Sequence, residues 1–318
     1  MRAIFLACAL ILATGLARAE TPELRIAVLK FGTVNWLVDT IKANGLDRAE
    51  GFRLEVVPLA GRSATTIAFQ AGDVDLIVSD WVWAMRHRGL GSDYRFFPYS
   101  RALGALIAGA GGPETLCDLR GQSVGVVGGP VDKSWLILQA LVARDCGFAL
   151  AEETQALFGA PPLMSRQLTI GGVSAVSIYW HYAARLEAGG AQRVIGVTEA
   201  VEALGIKPVP ALVGFLWDGA RSDAALIAAF RRAVRAAGEM LQSSDAEWDR
   251  LRPLMRAKTE AEFVELRQAY RAGIQADWTL ADTEASKRLH DVMREVGGAA
   301  FRDKSGPFDR GVFPVGDG

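Results

Sequence analysis

Ala71-Gly72-Asp73-Val74-Asp75-Leu76-Ile77-Val78-Ser79-Asp80 is the stretch on which the reading of the fold turns. It joins the end of a helical pattern, Ser63 to Ala71, to a short β-rich run, Val74 to Val78, and another helical pattern, Trp81 to Arg88, follows. The same rhythm holds upstream. Leu24 to Val28 reads as a strand, and Asn35 to Ala43 as a helix on which Trp36, Leu37, Thr40 and Ile41 share a face. Phe52 to Pro58 alternates as a second strand. Short strands alternating with longer helices are how an α/β protein with a largely parallel sheet is written.

Downstream the rhythm changes over Tyr94 to Arg101, and a new set of units opens at Leu103 to Ile107, which places a first crossing between two lobes there. The second lobe is expected to hold strands at Val124–Val127, Thr154–Phe158, Ala175–Ile178 and Arg193–Val197, with helices over 134–145, 161–171, 181–188 and 198–204. A last strand, Ala211 to Trp217, follows Pro208 and Pro210. Beyond Asp218 come four amphipathic helices, Ser222–Leu241, Asp245–Met255, Thr259–Ala276 and Leu280–Val296. Ser222 and Thr259 suit N-caps, and Thr259 with Glu262 fits a capping box. The tail from Arg302 to Gly318, rich in Gly, Pro and Asp, reads as an irregular strap. The expected division is lobe I over 20–100 plus 219–318 and lobe II over 101–218.

The first residues carry a different message. Met1-Arg2, the apolar run Ala3 to Leu12 and then Ala17-Arg18-Ala19 have the layout of a cleavable secretory signal, with cleavage after Ala19. The run is shorter than the roughly 20 apolar residues a membrane span needs. Cys8 has too little chain before it, and no leucine three residues upstream, for a lipid anchor. No later stretch is long and apolar enough to cross a bilayer, so the mature chain is expected to be soluble, periplasmic and free of stable membrane insertion. Cleavage removes two of the 35 basic residues, Arg2 and Arg18, and none of the 36 acids, which leaves a formal charge of −3. That balance recruits neither nucleic acid nor an anionic membrane.

Cys117 and Cys146 remain after cleavage, an even pair in an oxidising compartment. Cys117 precedes the strand at Ser123–Val127 and Cys146 ends the helical pattern Ser134 to Asp145. A helix that follows a strand runs back beside it, so the two thiols can meet, and closing a loop of about 30 residues stabilises by roughly 3–4 kcal/mol. The alternative is two buried reduced thiols. No CxxC is present and His87, His181 and His290 are isolated, which argues against zinc, and no carboxylate cluster points to a bare metal ion. No cofactor is expected.

Three segments then resemble one family in order and spacing. Residues 71–80, quoted above, are similar to a signature of the periplasmic solute-binding proteins that serve nitrate, sulfonate, taurine and thiamine-precursor importers. Glu-Thr-Leu-Cys-Asp-Leu-Arg-Gly-Gln-Ser-Val-Gly-Val-Val at 114–127 resembles that family's entry into its second lobe. Gly171-Gly172-Val173-Ser174-Ala175-Val176 resembles its Gly-x-Val-Asp-Ala segment, with Ser174 in place of the usual Asp. The resemblance implies a type II periplasmic-binding-protein clamshell: two lobes of mixed, mostly parallel sheets flanked by helices. It would close on a small-molecule solute and deliver it, as a monomer, to an ABC transporter permease.

In open α/β sheets, ligands gather beyond the carboxyl ends of strands, where helix N-termini point unpaired N–H groups into the crevice. The candidate ligand-binding residues are therefore those after the strands. Lys30, Phe31 and Asn35 follow the first, Arg62 and Ser63 the second, and Ser79, Asp80 and Trp81 the third. The other lobe offers Gly129, Asp132, Lys133, Ser134, Tyr179 and Trp180. Each has a plain structural alternative: Gly128-Gly129-Pro130 as a turn, Asp80 as an N-cap, Arg62 and Lys133 as solvated charges, and Trp36, Trp83 and Trp135 as core. His181 reads equally as a cap, a buried polar group or a ligand contact.

Lys30, Arg62, Lys133 and the helix N-termini favour a small organic anion, whereas Asp80 and Asp132 near tryptophans would suit a cation. The lean is towards the anion. No catalysis is expected. An enzyme of thiamine-pyrimidine type would carry a cysteine-rich motif, and a hydrolase would carry GxSxG; both are absent. The alternatives are a ligand-sensing or accessory periplasmic protein and a solute-binding-fold enzyme of thiamine-pyrimidine type.

Overall fold

β1 (Glu23–Leu29) buries Leu24, Ile26, Ala27 and Val28, the pattern of a strand covered on both faces. The computed structural model describes residues 21–275 and 277–314, so the export signal read over residues 1–19 lies outside them, as do the last four residues. After β1 come α1 (Val34–Ala43), α2 (Leu46–Ala49), β2 (Arg53–Leu59), α3 (Arg62–Ala71), β3 (Leu76–Asp80), α4 (Trp81–Arg88) and β4 (Tyr94–Ser100). The chain continues through β5 (Gly104–Ala108), β6 (Ser123–Val127), α5 (Lys133–Cys146), α6 (Leu150–Glu153), β7 (Gln155–Gly159), α7 (Pro161–Thr169), β8 (Ala175–Tyr179), α8 (Trp180–Ala188), β9 (Gln192–Gly196) and α9 (Val197–Ala203). It closes with β10 (Val213–Asp218), α10 (Ala224–Ser243), α11 (Asp245–Met255), α12 (Glu260–Gly273), α13 (Leu280–Val296) and α14 (Gly298–Ser305).

The strands form two five-stranded sheets, β2-β1-β3-β10-β4 and β7-β6-β8-β5-β9. In each sheet two ladders are parallel and two antiparallel, a more even mixture than the strand–helix rhythm suggests. The physical reason lies in the two crossings. β5 and β10 are each entered from the other lobe and not through a βαβ unit, so the right-handed crossover rule does not set their direction, and both insert antiparallel.

Two segments sit elsewhere than the sequence reading put them. Val213–Asp218, assigned there to the second lobe, pairs with β3 and β4 in the first sheet, as Phe215↔Val78 and Phe215↔Phe97. Tyr94–Ser100, read as a break in rhythm, is that sheet's edge strand. The C-terminal helices also divide their contacts. α10 packs on α1, but α12 packs on α8 and α13 on α5, both in the second lobe. One apolar cluster accordingly runs from Trp81 and Met85 on α4 through Leu289 and Met293 on α13 to Trp135 and Leu138 on α5.

Local chemistry explains the helix ends. Asp223, and not Ser222, caps α10, accepting from the N–H groups of Ala225 and Leu226. Thr259 caps α12, but Glu262 accepts from the Lys258 N–H at 2.8 Å instead of completing the box. The full capping box is Thr279 with Asp282. The tail is less irregular than its composition suggests, because α14 and the turn Arg310–Val312 bury Phe301, Val312 and Phe313.

Cys117 and Cys146 are bonded, with their Cα atoms 5.2 Å apart. The strand-and-return geometry anticipated this pairing. Denatured, unreduced mature protein should therefore show no reactive thiol in a maleimide assay. The Cys117→Ser/Cys146→Ser variant should lose about 3–4 kcal/mol in a urea titration, the loop-closure entropy no longer removed from the unfolded chain.

His290 on α13 is fully buried against the rings of Trp81, Phe301 and Phe308, and neither ring nitrogen meets a protein partner among the described residues. Burial, with Arg294 adding to it, pulls the imidazole from 6.5 to about 4. The unfolded chain therefore binds a proton that the folded one refuses, and stability should fall as pH drops from about 6.5 towards 4. Urea midpoints across that window should show the decline, with a shallower slope in His290→Leu.

Candidate functional site

β1, β2 and β3 are parallel, so Leu29, Leu59 and Asp80 end at one edge of the first sheet; β6, β7 and β8 likewise end together at Val127, Gly159 and Tyr179. The loops after these ends meet across a cavity of about 210 Å³. Ser79, Asp80 and Tyr99 line it from one sheet, and Tyr179, Trp180 and His181 from the other.

Asp80 is the electrostatic centre. Its Oδ1 accepts from the Trp83 N–H at 2.9 Å, capping α4, and its Oδ2 lies 3.0 Å from Lys133 Nζ of the opposite lobe and 3.9 Å from Arg62. Burial alone would push this carboxyl up. Lys133, Arg62 and the Trp83 N–H outweigh burial and hold it below the ordinary carboxylate range, so it stays ionised. Asp132 caps α5 through the N–H groups of Ser134 and Trp135. In its case burial prevails over Lys133 and those N–H groups, and its pKa is raised. Gly128 and Gly129 have φ of +92° and +96°, and a Cβ on Gly128 would stand 2.5 Å from Asp132 Oδ2, so the turn depends on glycine there.

A second contact crosses the cleft. The Trp180 ring lies edge-on to Trp36 at 5.9 Å and to Tyr270 at 6.0 Å, joining α8 to α1 and α12. Burial pushes the Tyr99 hydroxyl up to about 12 against the pull of Tyr270 and Thr33 beside it, and so keeps it neutral. His181 is pulled down to about 4 by burial and by Arg185, and its Nδ1 meets no protein partner among the described residues. Helices α1, α3 and α8 have no side-chain cap, unlike α4 and α5. In α1 the Asn35 and Trp36 N–H groups already donate to the Gly32 and Thr33 carbonyls, so α3 and α8 offer the first-turn donors an oxyanion uses.

The sequence-selected residues separate into three groups. Ser79, Asp80, Arg62, Tyr179 and Trp180 line the cavity, and Lys133 reaches Asp80 beside it. Gly129, Asp132 and Ser134 build the turn and cap behind Lys133. The rest lie elsewhere. Trp81 is wholly buried in core, its indole N–H donating to the Ala211 carbonyl, because the helix starting at Asp80 turns its first residue inward. Asn35 spends its amide on the Leu29 and Gly32 carbonyls, Ser63 is exposed while Gly61 takes the N-cap position, and Lys30 and Phe31 stand outside the inner cavity. Thr33, Thr65 and Tyr99 also line the cavity without having been selected. Thr33 and Thr65 each lie two residues from a selected loop position, a signal available in the sequence; Tyr99 sits on β4, whose pattern does not read as a strand in the sequence.

A larger hollow of about 550 Å³ lies along the crossings, against Arg101, Lys207 and Pro208. It opens at the ends of β4 and β9, whereas the smaller cavity takes in the ends of β1, β3 and β8 and the Asp80 cluster, and the smaller cavity is therefore the candidate site.

Neither a protein-family model nor a curated protein sequence matches the chain. Solved structures do. The alkanesulfonate-binding protein SsuA from Xanthomonas axonopodis pv. citri, bound to MOPS, aligns with a TM-score of 0.67 at 16% identity, over 92% of this chain and 96% of that one. The periplasmic aliphatic sulphonate binding protein SsuA from Escherichia coli aligns with a TM-score of 0.69 at 17% identity, over 86% and 87%. The fold is that of the periplasmic solute-binding proteins. It is not confined to them, because the desulfurization enzyme DszB aligns at a TM-score of 0.59 and 16% identity over 90% of this chain and 96% of that one. Identities this low establish the clamshell architecture, and function has to be argued from the site. No helix among the described residues is long and apolar enough to cross a membrane.

Removing the ammonium that bridges the lobes should be measurable. Lys133→Met is expected to cost about 1–3 kcal/mol, less than the loss of a fully buried pair, because Arg62 still faces Asp80. Small-angle scattering of the unliganded variant should show a larger radius of gyration than wild type.

Proposed function

We propose that this protein is an extracytoplasmic receptor that closes on a small organic anion and delivers it to an ABC permease. One observation carries the reading: the carboxyl ends of two sheets face each other across a small cavity, held together by Asp80–Lys133 and Trp36–Trp180. Such contacts can part and re-form as lobes swing, which is how a clamshell captures and releases cargo. The uncapped N-termini of α3 and α8, with Arg62 and Lys133 beside Asp80, favour an anion, and Trp180 with the tyrosines supplies an apolar wall for its carbon frame. Alkanesulfonates, the cargo class named for the SsuA proteins, fit this description.

We place lobe I at 20–100 with β10 and the helices that follow it, and lobe II between the crossings near 101–103 and 204–212. The segment 1–19 acts as the export signal, and the mature protein works as a periplasmic monomer. The reading as a receptor, not an enzyme, is supported by how the reactive side chains are engaged. Asp80 is ion-paired, Asp132 is a cap, and Cys117 and Cys146 are bonded to each other.

Isothermal titration of the mature protein with short alkanesulfonates should show saturable binding. Trp180→Ala should weaken it by roughly tenfold, the worth of one aromatic contact of about 1.4 kcal/mol. Asp80→Asn, which retains the cap but frees Lys133, should also change affinity. Unaltered binding in both variants, with circular dichroism showing a folded protein, would remove the site from this cavity.

A further inference from the structure

The cleft does not end at His181. That residue also borders a second hollow of about 210 Å³ at the cleft mouth, formed by the loop after β1, the end of α11 and the first turns of α8. Phe31 projects there with 65% of its surface exposed. Arg256 lies over its ring at 4.3 Å and Lys30 at 5.7 Å, so one aromatic ring carries two cations. Neither cation has an ion-pair or hydrogen-bond partner among the described residues.

The position of Arg256 is imposed. It is the one non-glycine among the described residues with positive φ, at 54°, a conformation a long side chain adopts only at a cost in energy. Arg185 holds it there. Its guanidinium donates to the carbonyls of Met255 at 2.8 Å and Arg256 at 3.3 Å while pairing with Glu262 at 2.9 Å. Arg185 stands one helical turn beyond His181 on α8, so the element that brings His181 to the cavity also fixes the Arg256 backbone. His181 Nδ1 is buried without a protein partner where the inner and outer hollows meet.

We propose that this mouth is a second oxyanion subsite, formed by Lys30, Arg256 and His181, and that the cargo is a two-ended organic acid. One anionic group sits in the inner cavity and the other at the mouth, with Phe31 against the carbon frame between them. This deepens the receptor reading and rests on it. Two uncompensated cations at the entrance to a closing cleft attract a charge that a single-headed anion, held inside, does not supply.

The test is calorimetric titration of the mature protein with straight-chain alkanesulfonates and α,ω-alkanedisulfonates of two to six carbons, which remain ionised at any working pH. The best disulfonate is expected to bind at least tenfold tighter than the monosulfonate of equal length. In Lys30→Gln/Arg256→Gly that ratio should fall below threefold. Glycine accepts the backbone angle at 256, and both side chains are exposed, so the variant should fold; Lys30→Gln alone is the second variant and should reduce the ratio part of the way. Monosulfonate binding with no disulfonate advantage would overturn the second subsite and leave the receptor reading standing. An advantage that persists in the double variant would overturn the assignment to these residues. Binding of neither series would overturn both readings.

Discussion

The ion pair between Asp80 and Lys133 is the constraint from which the rest of this architecture is best understood. Asp80 ends β3 and caps α4 in one lobe, while Lys133 begins α5 in the other, so a single carboxylate serves a helix N-terminus and a contact between lobes. Burying a carboxylate is costly, and this one stays ionised because two cations and a backbone N–H converge on it. The interlobe cavity lies beside that cluster, with the uncapped N-termini of α3 and α8 around it.

The contact between lobes is polar at one point and aromatic at another, and the two behave differently. The Asp80–Lys133 pair depends on exclusion of water, whereas the Trp36, Trp180 and Tyr270 cluster buries apolar surface, so the closed form draws on two kinds of interaction. Behind them the C-terminal helices connect both lobes. α10 packs on the first lobe, α12 and α13 on the second, and α14 returns to α4. The lobes are therefore joined by a shared apolar cluster as well as by two strand crossings, and any hinge motion has to be accommodated along the faces of α12 and α13.

Much of the fold was legible because period and composition are local properties. The alternation over 24–88 placed three strands and three helices within a few residues of their bounds, since an apolar strand and an amphipathic helix each announce themselves within ten residues. The Cys117–Cys146 bond was reachable by one step of geometry from the same pattern. Strand ends then located Asp80, Lys133, Tyr179 and Trp180, because parallel strands put their carboxyl ends on one edge.

What the amino-acid sequence determined by itself was the succession of elements and the loops that could face a ligand. What only the tertiary structure decided was which lobe takes each returning segment and which way a side chain faces. Val213–Asp218 reads as a strand wherever it lies, and its place between β3 and β4 is settled by pairing with residues more than 100 positions away. Trp81 and Trp180 both follow directly on a strand, yet one is core and the other lines the cleft. Their separation is fixed by the packing of α13 and the C-terminal turn against α4, a contact between distant segments that no local pattern encodes.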